Sequence, residues 1–265
     1  MMKRLPIILI VLGVFLVSCQ QKTTKDDDTS QVSETEKKVE YPEVVEFPSM
    51  DSLMITAHLY QIDKTSPFIL LCHQARFNKF EYSGIAEKLN EMGFNCMAID
   101  QRSGGPIGKT QNETYLRALK KGLEISYVDA EPDIRAAIKY VSQTYSDKVI
   151  LWGSSYSSTL ALYLGVELDE VSAVISFSPG NYMADQKGSL IDKLEGFEKP
   201  MFITSSNYEA KYVKELLEKH KMIEKQVHFI PEGPGHHGSR ALWINQQGGE
   251  EYWTAIGAFL NDIKN

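Results

Sequence analysis

The sequence predicts an α/β fold with a mostly parallel central sheet and helices on both faces. Short apolar runs alternate along the chain with segments whose apolar residues recur at helical spacing. The composition, 43% hydrophobic and 24% charged, is that of an ordinary globular protein. Residues 41–265 also supply enough chain for one domain with a sizeable core.

The predicted elements follow one another in a regular order. Two β-like segments, 44–47 and 53–61, come first, and the apolar run 68–72 follows as a buried strand. Residues 80–92 show helical spacing, which Gly93 ends. The later elements are strands at 96–99, 148–152, 171–177, 201–204 and 227–230, and helices at 134–141, 159–164, 210–220 and 252–263.

Alternation of this kind requires crossover connections, which place consecutive strands parallel to one another. Ligands of such sheets bind beyond the carboxyl ends of the strands. Chemistry is therefore expected in the loops that follow Cys72, Ile99, Trp152, Thr204 and Ile230.

Residues 1–18 resemble a bacterial lipoprotein signal peptide. Lys3 and Arg4 precede the apolar stretch 5–17, which is too short to span a bilayer. The segment Leu16-Val17-Ser18-Cys19 resembles a lipobox, in which the cysteine becomes the acylated N-terminus. The resemblance implies a protein of the bacterial cell envelope that contacts the membrane only through a lipid anchor on Cys19, facing the periplasm or the cell surface. An ordinary secretory leader is the alternative.

Residues 19–40 are predicted to be a lipidated cysteine followed by a disordered tether. Val32 and Val39 are the aliphatic side chains of residues 20–40, too few for a core. The folded domain is therefore expected over 41–265.

Net charge and cysteine content exclude several classes of protein. The net charge of −7 argues against a nucleic-acid partner, which needs clustered lysine and arginine. The cysteines beyond the leader, Cys72 and Cys96, lie in predicted strands and are expected to be free, buried thiols. The sequence does not predict the oligomeric state.

A candidate nucleophile lies between the strand at 148–152 and the helix that follows it. The segment Trp152-Gly153-Ser154-Ser155-Tyr156-Ser157 resembles the G-x-S-x-G elbow of the α/β-hydrolase superfamily. Strand and helix converge at the elbow, so small residues are needed two positions before and after the nucleophile. Only Ser155 meets this condition, with Gly153 and Ser157, since Ser154 would place Trp152 there and Ser157 would place Thr159. A helix-capping role is the structural alternative.

The resemblance to α/β-hydrolases implies an acid and then a histidine further along the chain. Glu209, in the segment after strand 201–204, matches the position of the acid, which is usually Asp in the family. The histidine pair His236-His237 follows the last strand, and His237 is favoured because Gly238 comes after it. His236 remains the alternative base.

The same resemblance implies two backbone N–H groups that bind the oxyanion. Tyr156 N–H supplies one, and Ala75 N–H in the segment His73-Gln74-Ala75-Arg76 supplies the other, with Gln74 at a position where the family has glycine. His73 is expected to hold this loop, and Asp100 with Arg102 to form a structural turn.

These features predict a serine hydrolase, a carboxylic ester hydrolase that forms an acyl-enzyme on a small-molecule ester. No cofactor and no metal are expected, because the adjacent histidines lack the spacing of a metal motif. A serine nucleophile disfavours the reactions of dienelactone hydrolases (Cys) and haloalkane dehalogenases (Asp). A non-catalytic binding lipoprotein and a peptidase of the same fold remain alternatives.

Two insertions and one further motif complete the prediction. Residues 104–128 and 181–198 are too short for a large lid and are expected to shape the pocket. Four side chains of the first insertion could line a subsite, although packing onto the domain is favoured: Tyr115, Leu116, Ile125 and Tyr127. Residues 103–110, SGGPIGKT, miss one glycine of the Walker A pattern, and the polar stretch 111–121 that follows is not the buried helix of a nucleotide-binding fold.

Overall fold

The computed structural model describes residues 41–264. Within them, eight strands form one sheet in the order β1-β2-β4-β3-β5-β6-β7-β8. The strands are β1 (Glu43–Pro48), β2 (Met54–Tyr60), β3 (Phe68–Cys72), β4 (Asn95–Ile99), β5 (Val149–Ser154), β6 (Val171–Phe177), β7 (Met201–Thr204) and β8 (Gln226–Phe229). The predicted signal peptide (1–18), tether (19–40) and lipidated Cys19 lie outside the described residues.

Helices connect the strands on both sides of the sheet. They are α1 (Ser83–Glu91), α2 (Glu113–Lys121), α3 (Glu131–Thr144), α4 (Tyr156–Glu167), α5 (Ala184–Lys187), α6 (Leu190–Leu194), α7 (Ala210–Leu216) and α8 (Gly249–Lys264). Short 3-10 turns lie at Lys79–Tyr82, Val128–Ala130, Asn207–Glu209 and Ser239–Leu242. In the described part of the chain, none of the helices is both long enough and apolar enough to cross a membrane.

The sheet is parallel from β4 to β8 and antiparallel at one edge. β2 pairs antiparallel with both β1 and β4, whereas the other neighbours run parallel. The predicted fold class is therefore confirmed. Since β4 and β5 lie on opposite sides of β3, the direction of winding reverses at β3, which opens a crevice beyond the carboxyl ends of β3 and β5.

Alternating side chains of the strands build two apolar layers. One layer contains Leu70 and Leu151, with buried residues of α3, α4 and α7. The other contains Leu71 and Trp152, with buried residues of α1 and α8. The central strands β3, β4 and β5 are buried at every position, which explains why they are continuous apolar runs in the sequence.

The first insertion contains a helix that the sequence did not predict. Residues 113–121 form α2, where the sequence predicted a polar stretch and no buried helix. The Asn112 side chain accepts the Tyr115 N–H at the start of α2, and Gly122 ends the helix in the left-handed region. α2 packs on β2, where the Thr56 N–H donates to Thr114 Oγ1 (3.1 Å), so it is a half-exposed covering helix.

The motif at 103–110 does not have the geometry of a phosphate loop. The segment closes on itself through a bridge between Ile107 and Thr110. The Gly105 N–H donates to the Phe77 carbonyl (2.8 Å), which ties the segment to the loop after β3. It does not run directly into a helix, because α2 begins only at Glu113.

Candidate active site

Ser155 lies at a sharp turn between β5 and α4. Its φ of 59° and ψ of −124° are strained for a residue with a side chain. The Ser155 N–H donates to the Phe177 carbonyl at the end of the neighbouring strand β6 (2.8 Å), which holds the turn against the sheet. This is the backbone geometry that the sequence predicted for a nucleophile elbow.

The packing around the turn explains why the residues two positions before and after Ser155 must be small. A Cβ atom at Gly153 would lie 2.3 Å from the Ser157 carbonyl oxygen and 2.4 Å from the Ser158 Cα. Ser157 fits where the family has glycine because its hydroxyl accepts the Ser154 N–H (2.9 Å) and donates to the Cys72 carbonyl (2.7 Å). The departure from the family pattern therefore adds a link between β5 and β3.

The structure brings Ser155, His237 and Glu209 together. His237 Nε2 lies 2.8 Å from Ser155 Oγ, and His237 Nδ1 lies 2.5 Å from Glu209 Oε1. The three residues come from the loops after β5, β8 and β7, at one edge of the sheet. A serine, a histidine that can take its proton and a carboxylate that orients the histidine are thus arranged in series.

Hydrogen bonds hold the Glu209 carboxylate in place. Its Oε2 accepts the Ser206 hydroxyl (2.7 Å), the Ser178 hydroxyl (3.0 Å) and, more weakly, the Ser206 N–H (3.3 Å). Burial raises the pKa of Glu209, but the hydrogen bonds from His237, Ser206 and Ser178 outweigh it and lower the pKa to about 2. Glu209 is therefore ionised at neutral pH.

The two adjacent histidines face different partners. The His236 ring lies against the Gln246 side-chain amide, with its Nε2 at 2.5 Å from Gln246 Nε2, whereas His237 faces Ser155. Gly238, at φ +70°, has no room for a side chain, since a Cβ there would lie 2.6 Å from Ser154 Oγ. The loop thus turns only His237 toward the predicted nucleophile.

The loop after β3 is held by His73. The Gln101 N–H donates to His73 Nε2 (2.9 Å), so the proton of the neutral ring is on Nδ1, which lies 2.8 Å from the Gln74 carbonyl. Burial lowers the pKa of His73 to about 4. A neutral imidazole with both nitrogens occupied supports a loop and does not act as a base.

The two predicted oxyanion donors lie beside this loop and at the start of α4. Tyr156 is the first residue of α4, directly after Ser155, so its N–H is one of the helix's unpaired N-terminal donors. Among the hydrogen bonds within residues 41–264, neither the Ala75 N–H nor the Tyr156 N–H has a protein acceptor. By contrast, the Gln74 N–H is committed to Glu81 Oε2 (2.8 Å).

The Tyr156 side chain holds the start of α4 through contacts of its ring and its hydroxyl. Its ring stacks on Tyr127 with centroids 4.8 Å apart, and its hydroxyl lies 2.6 Å from Ser103 Oγ. Gln101 Nε2 also donates to this hydroxyl (3.0 Å). The loops after β3, β4 and β5 are therefore linked behind the predicted nucleophile.

Two buried ion pairs stabilise the turn after β4. Lys79 Nζ lies 3.0 Å from Asp100 Oδ2, and the Arg102 guanidinium lies 2.6 Å from Asp133 Oδ1. Asp51 forms a second contact with Arg102 at 2.6 Å. These pairs agree with the structural role that the sequence predicted for this turn.

A cavity of about 700 Å³ opens beside His237 and Glu209. Three tyrosines line it, Tyr182, Tyr208 and Tyr212, and Tyr208 is 76% exposed. The second insertion, 181–198, shapes this cavity, whereas the first insertion does not line it. The lining residues are Pro179, Gly180, Asn181, Tyr182, Ile191, Ser206, Tyr208, Glu209, Tyr212, Glu215, Leu216 and His237.

Sequence reasoning missed the three tyrosines and Glu81. Tyr208 and Tyr212 had a signal in their closeness to the predicted acid, whereas Tyr182 had none. Cys72 and Cys96 are buried free thiols, as predicted. In the described residues, no group of three or more His, Cys, Asp or Glu side chains is placed to hold a metal ion.

Solved structures of other proteins resemble this chain, whereas sequence comparisons find no match. No protein-family model matches the chain, and no curated protein sequence matches it. The chain is similar to the solved structure of an esterase from Pyrococcus furiosus, with 19% identity and a TM-score of 0.63 over 83% of this chain and 91% of that chain.

Two further esterase structures resemble it. A thermostable carboxyl esterase from Bacillus coagulans is 14% identical, with a TM-score of 0.62 over 84% of this chain and 99% of that chain. The esterase domain of a Rhodothermus marinus protein is 15% identical, with a TM-score of 0.59 over 82% of this chain and 96% of that chain. Together with the sheet order, these similarities show that the chain has the α/β-hydrolase fold.

Proposed function

We propose that this protein is a serine hydrolase that cleaves carboxylic esters through a Ser155–His237–Glu209 triad. The observation that carries the proposal is the series of contacts from Ser155 Oγ to His237 Nε2 (2.8 Å) and from His237 Nδ1 to Glu209 Oε1 (2.5 Å). Three residues from three separate loops form this series at the carboxyl edge of the sheet. The similarity of the fold to three esterases supports an ester as the substrate.

In the first half of the reaction, Ser155 Oγ attacks the carbonyl carbon while His237 Nε2 accepts its proton. The tetrahedral intermediate collapses when the carbon–oxygen bond to the alcohol breaks, and the imidazolium gives its proton to the departing oxygen. Water then attacks the acyl-enzyme with His237 again as base, and the carboxylic acid and free Ser155 are regenerated. Glu209 orients the imidazole through Nδ1 and stabilises its positive charge.

The oxyanion of each tetrahedral intermediate would be bound by two backbone donors. Tyr156 N–H supports this role because it lies at the start of α4, where the helix dipole also favours negative charge. Ala75 N–H supports it because the neighbouring Gln74 N–H is held by Glu81, which fixes the peptide geometry of the loop. Loss of one such donor typically costs about 3 kcal/mol in transition-state stabilisation.

The cavity beside His237 is the proposed binding site for a part of the ester. Its volume of about 700 Å³ is in the range of small-molecule sites. Tyrosine rings provide both an apolar face and a polar hydroxyl, which suits an uncharged organic group. The carboxylates of Glu209 and Glu215 in its wall disfavour an anionic one.

We further propose that the domain is attached to the envelope through acylated Cys19, which rests on the lipobox-like segment alone. Several acyl chains on one residue would give stable anchoring, because each buried methylene contributes about 0.8 kcal/mol.

A fluorophosphonate probe tests the proposed activity directly. Wild-type protein is expected to be labelled, and Ser155→Ala is expected to lose the label completely. Undiminished labelling of Ser155→Ala would refute the assignment of the nucleophile. An unlabelled wild type would favour a non-catalytic binding protein, and a wild type that is labelled but cleaves peptides and not esters would favour a peptidase.

A further inference from the structure

Glu81 is a buried carboxylate that the proposed triad does not use. It lies in the 3-10 turn Lys79–Tyr82, between β3 and α1, and is only 1% exposed. Within residues 41–264 no basic side chain forms an ion pair with it. A carboxylate without such a partner is costly to bury, and its presence therefore requires an explanation.

Two hydrogen bonds bind its two oxygens. Oε2 accepts the Gln74 N–H and Oε1 accepts the Ser154 hydroxyl, each at 2.8 Å. Ser154 Oγ in turn accepts the Ser239 N–H at 2.8 Å, so the one proton of the Ser154 hydroxyl is left for Glu81. Glu81 thus accepts both hydrogen bonds, and the ionised carboxylate has an accepting oxygen for each donor.

The residues in these contacts belong to the three loops that hold the proposed oxyanion donor, nucleophile and base. Gln74 directly precedes the proposed oxyanion donor of the loop after β3. Ser154 directly precedes the proposed nucleophile, and Ser239 follows the proposed base by two residues. The loops lie far apart in sequence, yet one side chain connects them.

We propose that Glu81 is a positioning residue of the hydrolytic site, whose carboxylate sets the geometry of the oxyanion loop, the elbow and the base loop relative to one another. The inference rests on the proposed function. Glu81 does not touch the substrate, because both of its oxygens are occupied by Gln74 and Ser154 in the interior. It acts through the groups beside it.

The positioning role requires the ionised form of Glu81, so the activity should depend on the protonation of this residue. Burial raises the pKa of Glu81 to about 7, although the donors and the nearby His237 and Arg240 lower it in part. The other titratable groups that face it are the phenols of Tyr82 and Tyr156, both neutral at this pH. Protonation of Glu81 leaves it one fully accepting oxygen, so either the Gln74 N–H loses its acceptor or the Ser154 hydroxyl has to reverse its contact and accept.

Glu81→Gln tests the inference, with Glu87→Gln on the exposed face of α1 as the matched control. The amide of Glu81→Gln has about the same size as the carboxylate but only one accepting oxygen. We expect kcat for a small ester to fall about 10- to 100-fold, with KM changed by less than about twofold, because the transition state loses alignment while substrate contacts remain. The control should keep both values. The acid limb of the kcat profile should also move, because one titrating group is removed.

Hydrogen–deuterium exchange supplies a readout independent of turnover. Peptides that cover residues 73–78 and 237–242 should exchange faster in Glu81→Gln than in the control, at a temperature where circular dichroism shows both proteins folded. Unchanged kcat, pH profile and exchange in Glu81→Gln would overturn the inference and leave the proposed function intact. If the wild type neither binds a fluorophosphonate nor cleaves an ester, the proposed function fails and the inference fails with it.

Discussion

Replacement of Glu209 by glutamine isolates the electrostatic part of the proposed mechanism. The glutamine carbonyl can still accept the His237 Nδ1 proton. In the wild type the Ser206 and Ser178 hydroxyls donate to Glu209 Oε2 at 2.7 and 3.0 Å, and in the variant the amide can donate to these hydroxyl oxygens instead. The histidine therefore keeps the tautomer that exposes Nε2 to Ser155. What the variant loses is the negative charge beside the imidazolium that forms in the transition state.

The size of the loss follows from distance and exposure. Two unit charges about 4 Å apart attract one another by about 4 kcal/mol at an effective dielectric constant of 20. The side chains of His237 and Glu209 are 32% and 24% exposed, and solvent screening reduces the attraction to about 2–3 kcal/mol. Since 1.36 kcal/mol corresponds to a factor of ten, kcat should fall about 30- to 200-fold, with KM little changed.

Steady-state hydrolysis of a chromogenic short-chain ester measures this change. The matched control is Glu218→Gln, an exposed glutamate just beyond the end of α7. A Glu209→Gln variant with kcat within threefold of the wild type would refute the electrostatic role. An equal loss in the control would show that the effect comes from the net charge of the domain. A loss of 10⁴-fold would indicate instead that the histidine had adopted the wrong tautomer.

The other variants address the base, the cavity, the anchor and the buried glutamate. His237→Ala should lose fluorophosphonate labelling and His236→Ala should keep it, because only His237 contacts the nucleophile; the reverse result would assign the base to His236. Tyr182→Leu should raise KM several-fold for a phenyl ester and less than twofold for an ethyl ester, and equal effects on both would exclude a ring contact in the cavity. Cys19→Ala should abolish incorporation of a labelled fatty acid and release the protein from the membrane fraction, whereas retained label would place the lipid elsewhere. The pKa of Glu81 rises from 4.5 when unfolded to about 7 when folded, so its contribution to stability is full below pH 4.5 and is lost as the pH rises through 7. Thermal melts should therefore show Glu81→Gln gaining on the wild type between pH 5 and pH 8, by up to about 3 kcal/mol, and a constant difference would contradict this.

The sequence predicted best those elements that are buried on both faces. The bounds of β3, β6 and β7 agree with the apolar runs to the residue, because every position of these strands except one lies in the core. Helix α4 was predicted only from residue 159, yet it begins at Tyr156. Ser157 and Ser158 follow Tyr156 in the first turn of α4, and serines usually favour turns; here Ser157 directs its hydroxyl to the backbone of β3.

The elbow was predictable because its constraint is steric and local. Gly153 has no room for a Cβ, and that requirement can be read from the order of residues around a serine. The cavity was not predictable in the same way. Tyr182 and Tyr208 lie 26 residues apart, and only the packing of the second insertion beside the loop after β7 places both at one opening.

Glu81 shows where local patterns fail for a physical reason. A glutamate at the start of the predicted helix 80–92 is ordinarily exposed, whereas the structure buries Glu81 in the 3-10 turn Lys79–Tyr82. Its burial raises the pKa to about 7, so the ionised form lowers the stability of the fold at neutral pH. A glutamine there would avoid that cost but could not accept both hydrogen bonds. The retention of a destabilising charge beside the elbow is therefore easier to explain by the geometry of the three loops than by the stability of the domain.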